Sequence, residues 1–588
     1  MRRPPRRSLM VLVAAACLGA PAAAQAAPSS PSAAPAVGPP TVTASDLKFT
    51  PGRTLHYGSA ASAGLLPDQV AAIARDAAAY ETALPGAAHP LYPGAVVLAA
   101  HNGTIVQHSA SGYALRYSDD KPTELPRDQW IPMRDDTIFD LASMSKLFTT
   151  IVALQQVERG TIDLDKTVAT YLPDFAQNGK GTITLRQLLT HTSGLEPDLP
   201  FYNYQGRAAQ EQALYAEKLQ HPPGTAYVYS DLNLITMQFI LEHVTGKTLD
   251  VLVRDGITGP LGLKDTGYNP PASEKNRIAA TEYEHVPPAQ LNRGLVWGQV
   301  HDENSYALGG VAGHAGVFST AHDLAILAQM ILDGGRYGHA RVLGDSSVRK
   351  IFTNFNQAFP SDSHGIGFEL NQRWYMGGLS SPVTAGHTGY TGTDIVIDPL
   401  SRSFSILLTN RVHPSRNWGS INPARVAVAQ DLARAIPIRP AEGRTAWFSQ
   451  TKDRSTATLT APVTGATKLS FDLWYDTEET DLGVLEASPD GATWTPVPFS
   501  LKAGRSSWTS DGTFSGFEDR RWAKAAATLP AGTTQVRWRY TTDPLYEGRG
   551  VYVDGVRAYD AHGHVVLNGE RPSDAARFVP NGWTVSSN

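Results

Sequence analysis

The sequence predicts an α+β chain that continues into an all-β region, and three observations carry that expectation. Residues 54–437 mix helical and strand periodicities. Residues 436–443 form a proline-containing break, Ile-Pro-Ile-Arg-Pro-Ala-Glu-Gly. From residue 445 onward, short alternating runs such as Leu469-Ser-Phe-Asp-Leu-Trp-Tyr475 and Gln535-Val-Arg-Trp-Arg-Tyr540 lie between Gly, Asp and Pro turns, the pattern of a β-sandwich. With 588 residues the chain exceeds one ordinary core. Two folded domains are therefore expected, 54–437 and 445–588, joined by a linker at 438–444.

The N-terminus reads as an export signal over residues 1–26. Arg2, Arg3, Arg6 and Arg7 precede a short apolar stretch, Leu9 to Ala16, and small-residue cleavage sites come after it. An ordinary basic region fits these arginines better than a twin-arginine signal. Residues 27–53, rich in Ala, Pro and Ser at their start, read as a tether. The expected location is outside the cell, secreted or associated with the wall. Cys17 is the only cysteine and leaves with the signal, so no disulfide is expected; a lipoprotein anchor at Cys17 is the competing reading. Without the first 26 residues the chain carries 46 basic and 55 acidic residues, a balance of −9 that speaks against nucleic-acid binding. Beyond the signal, no apolar run is long enough to span a bilayer.

The segment Leu141-Ala-Ser-Met-Ser-Lys-Leu-Phe places Ser143 and Lys146 at i and i+3, on one face of a helix. A serine hydroxyl is a poor nucleophile until a neighbour takes its proton, and a desolvated amine can do so. Ser-x-x-Lys occurs five times, at Ser45, Ser118, Ser143, Ser347 and Ser449, where about one chance match is expected. Only Ser143 opens a long apolar helix, with Gly160 as its stop and the right partners downstream.

The second partner is Tyr229-Ser-Asp231, ahead of a helical run. A phenol beside the lysine can relay a proton, and Asp231 can orient the lysine or a substrate amide. The third is His387-Thr-Gly389, which leads into an apolar strand; the N–H groups of Tyr390 and Ser143 would then hold an oxyanion. His314-Ala-Gly316 has the same form but leads into a helical run instead of a strand, which speaks against a place in the site. No metal site is expected: there is no His-Glu-x-x-His and no Cys cluster, and His301, His314 and His322 are scattered.

Taken in order, Ser143-x-x-Lys146, Tyr229-x-Asp231 and His387-x-Gly389 resemble the β-lactamase-related serine hydrolases. That group includes class C β-lactamases, D-alanyl-D-alanine carboxypeptidases, esterases and cell-wall amidases. Leu188-Leu-Thr-His-Thr-Ser-Gly-Leu195, Tyr171-Leu-Pro173 and Phe318-Ser-Thr-Ala-His-Asp-Leu324 look like it too. The resemblance implies a helical lobe packed on a mostly antiparallel sheet flanked by helices, with Ser143 between them. It implies Ser143 as nucleophile, Lys146 or Tyr229 as base, and His387 on the sheet edge, with no cofactor for catalysis.

Two departures matter. Asp231 stands where many members have Asn, and His387 where penicillin-binding enzymes have Lys. Both lower the expectation of efficient β-lactamase activity and favour an esterase or amidase; the segment 300–316 looks like a subgroup associated with muropeptide turnover, which points to a substrate related to cell-wall peptide. A weak β-lactamase, or a penicillin-binding wall sensor without turnover, are the alternatives. The region 445–588 resembles jelly-roll sandwiches appended to secreted peptidases, which implies contact with wall polymer or packing against the enzyme. Its acidic run Trp474-Tyr-Asp-Thr-Glu-Glu479 offers oxygen ligands for calcium, with a solvated acidic edge as the competing reading.

Overall fold

The computed structural model describes residues 41–285 and 291–588. The proposed signal, Cys17 and most of the tether lie outside the described residues. Within the described ones, no helix is long and apolar enough to cross a membrane.

The first half, residues 54–437, is built on one sheet. Its strands run in the order His56–Tyr57, Thr104–Leu115, Gly94–His101, Ser403–Thr409, Thr393–Asp398, Ala385–Gly389 and Glu369–Leu370, and Ile131–Pro132 pairs with Thr104–Leu115. All neighbours are antiparallel except the first pair. The period of two in the strands sorts their side chains into two cores. Val97, Val396 and Leu407 face the helices Pro67–Ala79 and Asn422–Ala435, packing with Val70, Ile73, Val428 and Leu432. Val96, Leu98, Ile395 and Ile406 face the helical lobe.

The centre of that lobe is the helix Ser145–Glu158, preceded by the 3-10 turn Ala142–Met144. It is buried all round, and Leu147, Phe148, Ile151, Val152 and Leu154 are fully enclosed. Each such side chain is worth about 1.5–3 kcal/mol. Gly160, in the left-handed region, lies just past its C-terminus.

From residue 446 the chain forms two antiparallel sheets. One runs Ser506–Ser510, Phe499–Ala503, Ala523–Thr528, Lys468–Asp476, Gly550–Tyr559, Ala446–Phe448 and Thr584–Ser586. The other runs Thr495–Pro496, Leu482–Ser488, Gln535–Thr541, Thr456–Pro462 and Val579–Asn581. Alternation fixes their inner faces: Val536, Trp538 and Tyr540 point into the core with Phe471 and Leu473.

One expectation needs correction. Residues 42–53 are not free tether: Ala44 and Leu47 are buried, and the Arg349 guanidinium grips the carbonyls of Ala44 and Leu47 at 2.5 and 3.0 Å. In the segment 438–444, Ile438 is buried and the Arg439 carbonyl accepts from Trp522, while Arg439, Ala441, Gly443 and Arg444 are exposed. The two halves also meet through buried charge. Arg520 of the sandwich donates to Asp398 at 2.6 Å and to Asp476 at 2.9 Å, and caps the carbonyls of Gly378 and Ser380. Around it, Arg373 donates to the Thr477 carbonyl, Gln430 to that of Gly548, and Arg434 pairs with Glu547.

Candidate active site

Ser143 lies in the 3-10 turn that enters the central helix, and Lys146 one turn on. The turn is held from outside. The Asp140 carboxylate accepts from the N–H of Ala142 at 2.9 Å and of His301 at 2.6 Å. Ala142 adopts φ +47°, a conformation costly for a residue with a Cβ and maintained here by those contacts.

The Lys146 ammonium is enclosed, with 1 % exposure, and donates to Ser143 Oγ at 2.9 Å and Asp231 Oδ1 at 2.7 Å. The His314 carbonyl lies 3.4 Å away. Burial alone would lower this lysine, but the Asp231 carboxylate and the Tyr229 oxygen outweigh it, and the net shift is upward. Tyr229 precedes the helix Asp231–Thr245, and its ring centroid lies 4.8 Å from the Lys146 nitrogen. Burial pushes its phenol up to about 12 against the opposing pull of Lys146. At neutral pH the resting pair is therefore an ammonium and a neutral phenol.

His191 positions the tyrosine. Its ring stacks on Tyr229 with centroids 4.5 Å apart, and its Nδ1 accepts from the Ser230 N–H at 3.1 Å and the Asn233 amide at 3.0 Å. Burial drives its pKa well down, so the ring is neutral.

His387 and Gly389 lie in the sheet strand Ala385–Gly389, with Tyr390 just beyond it. A Cβ on Gly389 would sit 2.3 Å from the Leu141 carbonyl oxygen, so only glycine lets the strand pass this close to the turn that carries Ser143. His387 is buried; its Nδ1 donates to the Thr388 carbonyl at 2.7 Å and its Nε2 has no partner. Burial and the Lys146 charge lower its pKa to about 3, so it offers no positive charge to a substrate.

A cavity of about 460 Å3 brings these groups together, lined by Ser143, Tyr229, His387, Gly389 and Tyr390 and by two residues absent from the sequence expectations, Arg411 and Arg425. Arg411 donates to the carbonyls of Tyr390 and Gly419 at 2.8 Å each. Arg425, on the helix Asn422–Ala435, donates to the carbonyls of Gly389 and Thr393. No motif marks either arginine.

The structure corrects the expectation for His314. The chain leaves it not as a helix but as the strand Val317–Ser319, which pairs with Phe139–Asp140 and brings His314 against the lysine. Its Nε2 meets Asp302 at 2.8 Å, and the Asp302 charge raises its pKa in spite of burial. Asp231, Asp302 and His314 converge, as do Glu282, Glu284 and His301. Both groups already hold cations: Lys146 in the first, Arg293 and Arg416 in the second. His322 lies apart, stacked on Tyr57.

A helical lobe on an antiparallel sheet, with serine, lysine and tyrosine at their junction, defines a serine hydrolase. The family described as Beta-lactamase matches residues 77–430, and the chain belongs to that family. A protein of Salmonella agona (strain SL483) that carries the name of a D-alanyl-D-alanine carboxypeptidase is 35 % identical over 363 residues, covering 56 % of this chain and 82 % of the relative. Among solved structures, a penicillin-binding protein homologue from Caulobacter crescentus is 23 % identical with a TM-score of 0.48, covering 63 % of this chain and 98 % of its own. A β-lactamase/D-alanine carboxypeptidase from Pseudomonas syringae is 18 % identical with a TM-score of 0.49, covering 63 % and 99 %.

Proposed function

We propose that the enzyme is a D-alanyl carboxypeptidase-type hydrolase that cleaves a peptide ending in a free carboxylate through an acyl-enzyme on Ser143. The observation that carries this reading is Arg411 in the same cavity as Ser143. With His387 neutral, Arg411 supplies the charge that a terminal carboxylate needs, while Arg425 is paired with Asp394 at 3.6 Å and Glu369 lines the same cavity. The name of the Salmonella relative points the same way.

In the resting site every proton position on Lys146 and Tyr229 is filled, so the reactive form is the one that has lost a proton. Either the Lys146 amine or the Tyr229 oxygen then accepts the Ser143 proton as Oγ attacks the carbonyl. The N–H groups of Ser143 and Tyr390 hold the oxyanion. The same proton passes to the leaving amine, the acyl-enzyme forms, and water repeats the sequence to release the acid. Asp231 fixes the lysine and sets its charge. No cofactor takes part.

We also place the enzyme outside the cell, on the strength of the basic and apolar start of its sequence. Contact of the sandwich with wall polymer is the accompanying reading. Steady-state hydrolysis of a D-alanyl-D-alanine peptide and of its C-terminal amide tests the carboxylate requirement. A preference of at least about tenfold for the free acid is expected, because a charged hydrogen bond is worth about 1.5–3 kcal/mol. Equal rates would favour a simple esterase or amidase.

A further inference from the structure

The acidic run at 476–479 does not act as one group. Asp476 is taken by Arg520, and Glu479 faces solvent. Glu478 instead meets two carboxylates from elsewhere in the chain. One oxygen each of Glu478, Asp481 and Asp543 lies within 4.8 Å of the other two. The ladder explains why. Leu482 pairs with Thr541, so Asp481 and Asp543 flank the same end of one antiparallel strand pair.

Three anionic oxygens this close repel one another unless something neutral or positive stands among them. The partners acting on Glu478 and Asp481 are other carboxylates, hydroxyls and a backbone N–H, not lysine or arginine. Asp481 accepts from the Tyr540 hydroxyl at 2.9 Å and the Asp543 N–H at 3.0 Å, and Asp543 accepts from the Leu545 N–H at 2.8 Å. Glu478 is less well served. It is 6 % exposed, and its Oε1 is buried with no hydrogen-bond partner. A buried carboxylate oxygen without a hydrogen-bond partner, beside two more carboxylates, calls for a proton or a cation to neutralise it.

We propose that Glu478, Asp481 and Asp543 hold a hard divalent cation, with calcium preferred, at the rim of the sandwich. The donor set is all oxygen, with no imidazole or thiolate, which suits calcium rather than zinc or copper. Asp453 adds negative potential nearby.

The position gives the ion a purpose. The loop that carries Glu478 and Asp481 adjoins the contact with the catalytic half: Arg373 of that half donates to the Thr477 carbonyl, and Arg520 of the sandwich bridges Asp476 to Asp398. Arg373 begins the short helix Arg373–Met376, whose Trp374 lines the Ser143 cavity. An ion that fixes this loop therefore secures the contact between sandwich and enzyme.

The test uses the full chain, stripped with EDTA and desalted, then titrated with calcium chloride by calorimetry and melted with and without the ion. One calcium per chain is expected, with a rise in melting temperature of about 5 °C at saturating calcium. Asp543→Asn, which retains the oxygen that accepts from Leu545, should weaken binding at least tenfold. In EDTA it should be as stable as the parent or more so, since a like charge is gone. If it fails to fold, Glu478→Gln decides, because its Oε1 has no bond to lose. No calcium uptake at 10 mM (roughly tenfold above the weakest extracellular sites), undiminished uptake in the decisive variant, or equal stabilisation by magnesium would each overturn the assignment.

Discussion

Replacing Asp231 with Asn removes one charge and almost no volume, and it should move the pH profile rather than simply reduce the rate. The ammonium and carboxylate are 2.7 Å apart. At that distance their attraction is about 6 kcal/mol for an effective dielectric near 20 and about 1.5 kcal/mol for full screening by water. At about 1.4 kcal/mol per unit, this spans about 1 to 4 pKa units. The Asp231 side chain is 25 % exposed while Lys146 is enclosed, so screening is partial and a shift of about 2 units is expected. The charges set the sign: the carboxylate favours the ammonium, and without it burial is opposed only by the Tyr229 oxygen, so the lysine loses its proton more easily. The assay is kcat/KM on a neutral chromogenic ester from pH 5 to 10. The parent should gain activity about tenfold per pH unit through the neutral range, as the deprotonated form grows in. In Asp231→Asn that limb should lie about 2 units lower. A rate loss with an unmoved limb would show instead that Asp231 positions the site without controlling its charge.

Three further outcomes are expected. Arg411→Ala should raise KM for a peptide ending in a free carboxylate about tenfold or more while leaving a neutral ester nearly unchanged, which steady-state kinetics on the two substrates checks. Arg520→Ala leaves buried Asp398 without its cation and Asp476 with only Arg373, 3.9 Å away, so calorimetry should show a loss of about 3–5 kcal/mol and separate melting of the two halves. Gly389→Ala forces its Cβ against Leu141 and Thr393, and kcat should fall about a hundredfold as the strand moves from the nucleophile, with the far-UV circular dichroism unchanged.

Much of the site is legible in the sequence because its parts are local. Ser143 and Lys146 are one helical turn apart, Tyr229 and Asp231 are two residues apart at a helix start, and His387 and Gly389 share a strand. Spacing of that kind survives in the sequence. His314 escapes such a reading because its place depends on a three-residue strand pairing with Phe139–Asp140, some 180 residues earlier in the chain. Arg411 and Arg425 leave no signal at all: each reaches the cavity by holding carbonyls of a distant loop or strand, and an arginine in a turn or on a helix looks like solvated surface. The sandwich strands are readable from alternation, as in Gln535–Thr541. Its grip on the enzyme is not, since Arg520 lies in a turn and its partner Asp398 is 122 residues away. The same limit splits the acidic run, whose members look alike in sequence and face three different surroundings in the fold.

The central claim is a covalent acyl-enzyme on Ser143, and mass spectrometry of the trapped protein tests it most directly. The protein is reacted with a fluorophosphonate or a penicillin, its intact mass is measured, and the modified peptide is mapped. One adduct per chain is expected, on the peptide containing Ser143. No adduct is expected in a folded Ser143→Ala, and an unchanged adduct in Ser347→Ala. An adduct on another serine, or labelling that persists in Ser143→Ala, would contradict the claim.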